Sequence, residues 1–241
     1  MIKVYKDLED VPNSLKRVTK EKRTNPYNKK NNKLFKQKDT KEALHKIYKD
    51  KCAFCEQKVF IGNGKKDRAN TRTVEHYRPK SRYYWLAFSW DNLLLCCKSC
   101  NKHKADNFEI LGQKVIYNDS FENKIHSSTI EYQNSEKPKM IHPEFENIVD
   151  KLEFNNGVMT SNDLRVKYTI KTCGLDRSDL NEKRQTIIDD FIESIIDKKL
   201  KNESIKDSLK ELINDLNKRE KEFIALRYWI LKNYKLLVEV S

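Results

Sequence analysis

Two short cysteine pairs constrain this chain more than any other feature. KCAFCEQ holds Cys52 and Cys55, and LLLCCKSCNKHK holds Cys97 and Cys100. A Cys-x-x-Cys turn presents two thiolates to one ion, and two such turns make a closed tetrahedral zinc site. Any fold must therefore bring the two segments together across the chain between them. Cys96 with Cys100 is the competing pair, but Cys97 repeats the spacing of the first turn. Cys96 then reads as a small core residue, and Cys173 as a lone, buried, inert thiol. A site of four thiolates has no free coordination position, so its Zn²⁺ is structural and contributes folding energy rather than chemistry.

Clustered cysteines favour metal over disulfides only where thiols stay reduced. The first residues, MIKVYKDLED, have no apolar core of the kind a signal peptide needs, and no run approaches a membrane span. The expectation is a cytoplasmic protein with no membrane association. Of 241 residues, 49 are Lys or Arg and 36 Asp or Glu, a net charge of +13. That balance suits a polyanionic partner, nucleic acid first; a lysine-rich surface without such a partner is the alternative.

The fold expectation is α+β: a small two-strand-and-helix core with a knuckle pair, followed by a mostly helical C-terminal region. Residues 1–41 read as a basic N-terminal segment. MIKVYK suits a short edge strand, and residues 14–41 carry eleven Lys or Arg against Glu21 and Asp39. That stretch is either an arm along phosphates or a solvated tail. Residues 42–115 hold both cysteine pairs. Within them KEALHKIYKD predicts a helix, IGNGKK (61–66) a turn-rich loop and TRTVEHYRPK (71–80) a strand ending before Pro79. Residues 116–162 read as an irregular connection of short strands and loops. Residues 163–241 turn helical: Leu180, Ile187, Phe191, Ile195 and Ile196 fit one face, Ile205, Leu209, Leu212 and Leu216 a second, and Phe223 to Tyr234 a last helix. These stripes are core, or a partner's docking face.

Between the knuckles lie an acid beside a histidine (Glu75-His76), an asparagine (Asn92), and an amide or imidazole after the last cysteine (Asn101 or His103). Each is ordinary alone, but their order is not. Over roughly residues 50–108 the chain resembles the HNH endonuclease family, in which two Cys-x-x-Cys pairs bracket a ββα-metal unit. Glu75-His76 followed by Pro79 resembles the family's acid–histidine pair with its His-x-x-Pro. Asn92 in DNLLLC resembles the middle asparagine, Asn101 the ligand after the last cysteine, and Lys104 the basic residue beyond. EHYRPKS, YYWLAFSWDNLLLCCKSCN and TIKTCGLDRSDLNEKR further resemble the HNH subunits of Septu anti-phage systems (the PtuB type), retron-associated relatives included.

The resemblance implies a metal-dependent endonuclease acting on nucleic acid, DNA favoured and RNA possible, in phage defence beside a PtuA-like ATPase. It implies His76 as general base, close in unperturbed pKa to working pH and facing the helix. It places Asn92 as the residue fixing the inter-strand loop, and Glu75 and Asn101 as ligands of a catalytic Mg²⁺ or Mn²⁺. Two residues along a helix turn a side chain by about 200°, so His103 reads as a phosphate contact or surface residue. Arg78, Lys80, Arg82, Lys98, Lys102 and Lys104 would position phosphates. Tyr83, Tyr84, Trp85, Phe88 and Trp90 are candidates for stacking on bases, with core packing the alternative for the tryptophans. Two other readings remain open: a zinc-stabilised nucleic-acid-binding or scaffold protein without catalysis, and a toxin-like nuclease acting on RNA.

Overall fold

The structure is a computed structural model that describes residues 1–25, 34–60 and 71–239, with side chains to residue 237. The loop expected at 61–66, and Lys29, Lys30 and Lys33 of the basic stretch, lie outside the described residues. The most apolar element is β2 (Leu93–Cys97), LLLCC, whose five residues are all buried. A strand apolar on both faces needs cover on both. β1 (Arg72–His76) pairs with it antiparallel, Arg72 opposite Cys97 and His76 opposite Leu93. α4 (Lys98–Lys104) follows β2 directly and packs against both strands. α3 (Lys38–Tyr48) packs on β2 through Leu44 and Tyr48. These elements form the strand-strand-helix core that the sequence predicts.

The connection from β1 to β2 is folded back by polar groups. Two 3-10 turns, Tyr84–Phe88 and Trp90–Asn92, carry it over the strand ends. Asn92, fully buried, accepts the Arg78 N–H at 2.7 Å and donates to the carbonyls of Arg78 (3.1 Å) and Leu86 (3.2 Å). One side-chain amide thus satisfies three backbone groups, which buried backbone requires. Asp91 accepts the Thr129 N–H at 2.7 Å and so fixes the start of α5 (Thr129–Glu136). At the far end of α5, Arg78 donates to Glu136 at 2.7 Å, both side chains wholly buried.

The N-terminal residues depart from expectation. MIKVYK forms no strand; it runs as irregular chain, anchored by Val4 N–H on the Pro143 carbonyl and by buried Lys6. Lys6 pairs with Glu144 at 2.6 Å and donates to the Leu93 carbonyl at 2.6 Å. The basic stretch includes two short helices, α1 (Asn13–Lys16) and α2 (Lys20–Thr24), and a 3-10 turn at 34–36. Leu15, Val18 and Phe35 bury their side chains in the core, so local charge did not prevent packing.

Beyond the strand-strand-helix core lie a hairpin, β3 (Glu153–Asn155) with β4 (Val158–Thr160), and four helices: α6 (Leu164–Cys173), α7 (Ser178–Leu200), α8 (Lys206–Asn217) and α9 (Ile224–Glu239). Asp163 caps α6 by accepting the N–H groups of Arg165 and Val166. α7 buries Leu180, Ile188, Phe191 and Ile195, while Ile196 stays partly exposed. α9 packs on α7, α8 and the hairpin, so these stripes are largely core. Arg184 of α7 is fully buried, its guanidinium donating to the Leu175 carbonyl at 2.7 Å.

Arg78 is expected from sequence at the phosphates, but the structure puts it inside, paired with Glu136. Removing one partner strands a buried charge at a cost of about 3–5 kcal/mol. We therefore expect Arg78→Met to lower stability by about that amount in denaturant unfolding, and Arg78→Met with Glu136→Leu to recover much of it. A surface phosphate contact would leave stability unchanged.

Candidate metal and catalytic site

The zinc-type site is assembled from two backbone turns. The first knuckle docks on β2 through the Ala53 N–H, which donates to the Leu95 carbonyl at 2.8 Å. Glu56 N–H donates to the Cys52 carbonyl at 3.0 Å and closes the turn, with Glu56 at φ +61°. In the second knuckle Cys97 is the N-cap of α4, its Sγ accepting the Cys100 N–H at 3.4 Å. The Sγ atoms of Cys52, Cys55, Cys97 and Cys100 all lie within 4.8 Å of one another, and all four residues are buried. Cys55 and Cys97 are 3.8 Å apart. A tetrahedron with Zn–S bonds of about 2.3 Å has edges of about 3.8 Å, so the donor set fits zinc in size and softness. Cys96 packs alongside, 3.7 Å from Cys52, outside that mutually close set of four. The Arg177 guanidinium donates to Cys100 Sγ at 3.4 Å and to the Gly174 carbonyl at 2.8 Å. Four thiolates around a divalent ion leave net negative charge, which a neighbouring cation offsets.

The second cluster sits where β1 meets α4. Glu75 is buried, its Oε1 accepting from Lys104 Nζ at 2.8 Å and its Oε2 from the Asn101 amide. Burial raises the Glu75 carboxyl, and Lys104 and Asn101 oppose the shift. One carboxylate and one side-chain amide in contact form a hard, oxygen-bearing pair. Mg²⁺ or Mn²⁺ typically takes one or two such ligands and fills the rest with water and phosphate oxygens. A half-turn of the Asn101 amide exchanges its nitrogen and oxygen, so this pair fits such an ion.

His76, the next residue of β1, is also buried. The sequence has it facing the helix, but its ring contacts are Phe35, edge-on at 4.5 Å between centroids, and the Ala87 carbonyl, 3.0 Å from Nε2. Burial, with smaller contributions from Lys80, Lys104 and Lys36, lowers its pKa to about 3 against the opposing hydrogen bond to Ala87. The imidazole is therefore neutral at physiological pH. With its proton on Nε2, directed at Ala87, Nδ1 keeps its lone pair.

The other expected residues separate. Lys104 is wholly buried, donating to Glu75 and to the His76 carbonyl at 2.8 Å, and so is a structural cation rather than a phosphate contact. Lys80, Arg82, Lys98, Lys102 and His103 are exposed. Arg82 also donates to the Asp106 carbonyl at 2.6 Å. Asn101 faces Glu75, whereas the His103 ring lies over Gly174, where an added Cβ would come within 2.7 Å of it. Tyr83, Trp85, Phe88 and Trp90 are buried in the core and unavailable for stacking; Tyr84 is half-exposed. Sequence reasoning did not single out Phe35, the Ala87 carbonyl or Arg177. All three act through contacts between distant segments, which no local spacing encodes.

Zinc content separates the two candidate fourth thiolates. Elemental analysis should give about one zinc per chain. Cys97→Ser should lose that zinc together with thermal stability, while Cys96→Ser should keep it.

Residues 52–107 match the HNH endonuclease family model. The chain is also 29% identical over 175 residues to the Septu protein PtuB of Bacillus mycoides (strain KBAB4). That alignment covers 65% of this chain and 53% of the relative, so the chain spans about half the length of the curated protein it matches. The match begins at the first zinc-type ligand and ends just beyond α4, bounding the unit just described. The chain therefore carries an HNH endonuclease domain at residues 52–107.

Proposed function

We propose that this protein is a metal-dependent endonuclease that hydrolyses phosphodiester bonds, with DNA the favoured substrate. One observation carries the proposal: His76, its Nε2 oriented by the Ala87 carbonyl, directly follows on β1 the carboxylate of the Glu75–Asn101 pair on the strand–helix frame. A binding module has no need of that pairing. His76 is the general base. The Ala87 carbonyl holds its Nε2 proton, so Nδ1 takes a proton from the attacking water. Asn92 fixes the loop that carries Ala87 and so sets the imidazole's orientation. Lys104 opposes the effect of burial on the Glu75 carboxyl. A Mg²⁺ or Mn²⁺ ion held by Glu75 and Asn101 would supply Lewis-acid stabilisation of the charge on the phosphate and the leaving 3′-oxygen. The products would carry 5′-phosphate and 3′-hydroxyl ends. Zn²⁺ in the closed four-thiolate site holds the frame.

The similarity to a Septu protein supports a role in anti-phage defence; a cytoplasmic site of action and an ATPase partner are part of this proposal. No described helix is long and apolar enough to cross a membrane.

General-base removal typically costs 10²–10⁴-fold. His76→Ala should therefore lose plasmid cleavage by at least about 10²-fold, with zinc content, thermal midpoint and nucleic-acid binding kept. Cleavage at the wild-type rate would show that the base is misassigned. Parallel reactions on plasmid DNA and cellular RNA decide the polymer.

A further inference from the structure

The basic stretch before α3 has a specific place in the structure. Phe35, in the 3-10 turn at 34–36, is 2% exposed and lies edge-on to His76, with Phe88 6.4 Å away on another side. Two ammonium groups gather on its ring. Lys36 Nζ is 5.4 Å and Lys80 Nζ 5.3 Å from the ring centroid. Lys36 comes from this turn, whereas Lys80 follows β1, so two separate segments converge on the base.

Charge balance shows what this convergence suits. Lys104 and Glu75 neutralise each other inside. Asp106 is the remaining carboxylate that acts on both Glu75 and Lys80. Lys36 and Lys80 both act electrostatically on His76, so positive charge gathers beside the base even before any divalent ion is counted. Two like charges drawn onto one aromatic ring repel each other, and cation–π attraction offsets only about 0.5–1 kcal/mol each at exposed sites. An anion with several oxygens between them would relieve that repulsion. Lys80 shows the strain independently: burial and Lys36 lower its pKa.

Resting on the nuclease reading, we propose that the turn at 34–36 is part of the catalytic pocket. Lys36 and Lys80, flanking Phe35, seat the phosphate of the bond that His76 addresses. Phe35 is a positioning residue: it holds both ammonium groups beside the base and packs the imidazole edge-on. The ligand class is a phosphodiester backbone, engaged without base reading.

The test separates this seat from the nuclease reading. In the His76→Ala background with Mg²⁺, binding of a short labelled DNA duplex is measured across a salt series. Lys36→Ala and Lys80→Ala should each weaken binding several-fold and reduce the slope of log K against log salt by about one. Lys36→Arg should retain most of the affinity. Lys201→Ala, at the distant end of α7 and paired with Asp197, should change neither. With His76 intact, Lys36→Ala should raise KM for cleavage in step. Phe35→Leu, which keeps apolar bulk, should lower kcat with the thermal midpoint kept. If Lys36→Ala binds with wild-type affinity and slope, the seat is overturned, while loss of cleavage in His76→Ala still upholds the nuclease. If His76→Ala cuts normally, the base is misassigned; if wild-type protein cuts neither DNA nor RNA, the nuclease reading fails; in both cases the binding series still judges the seat. Wild-type protein that binds neither DNA nor RNA overturns the seat outright.

Discussion

Four thiols at one point hold the frame on which the rest of this structure depends. Cys97 ends β2 and caps α4, so the same residue sets the strand end, the helix start and a corner of the tetrad. The first knuckle has little regular structure of its own. It is positioned by the Ala53–Leu95 backbone hydrogen bond to β2, by its thiols, and by Glu56, which accepts the Ile2 and Ala225 N–H groups. Binding an ion there converts coordination free energy into folding free energy, which a segment of this kind needs. Arg177 extends the same site to the C-terminal helices, because it follows α6 and touches Cys100. The helical region and the HNH domain thus meet at the least negotiable part of the molecule.

The buried polar groups around the site form chains rather than isolated pairs. Lys6 joins Glu144 to the carbonyl of Leu93, the register partner of His76. Asn92 joins Arg78 to Leu86, and Arg78 joins that loop to α5. Each residue bonds to segments elsewhere in the chain, with Arg78 Nη1 and Glu144 Oε2 left without a hydrogen-bond partner among the described residues. A half-made network of this kind is costly, and a complete one specifies a single arrangement. Orientation of His76 is therefore a property of the whole domain and not of its strand.

What the sequence revealed follows from how far each signal reaches. The cysteine pairs were legible because spacing within a turn fixes them locally, whereas Glu75-His76, Asn92 and Asn101 stood out only through their order and the family it resembles; the fold brings Glu75 and Asn101 into contact. The helices from Leu164 onward were legible through their periodic apolar faces. Arg78 and Lys104 were misplaced at the surface because charge alone suggests solvent. Their partners, Glu136 and Glu75, lie far along the chain, and only the fold brings them close enough to justify burial. Phe88 suggested base stacking for the converse reason, since an aromatic run reads alike in a core and on a platform, while Trp85 and Trp90 lie in the core, the reading the sequence favoured for them. The basic stretch before α3 likewise concealed Phe35, whose burial depends on His76 and Phe88.

The two metal positions place opposite demands on the same few residues. On the proposed reading the thiolate site is closed, and the ion that fills it contributes folding free energy. The Glu75–Asn101 pair is already compensated: Lys104 supplies a positive charge from inside, and Asn101 donates to the second carboxylate oxygen. A buried carboxylate with those partners needs no ion to stay folded. β1 and α4 can therefore pack in the same way whether or not a divalent ion is bound. The frame is committed to one metal and indifferent to the other. That asymmetry leaves the catalytic position free to exchange ion, water and phosphate oxygens while the strand and helix that present it stay fixed.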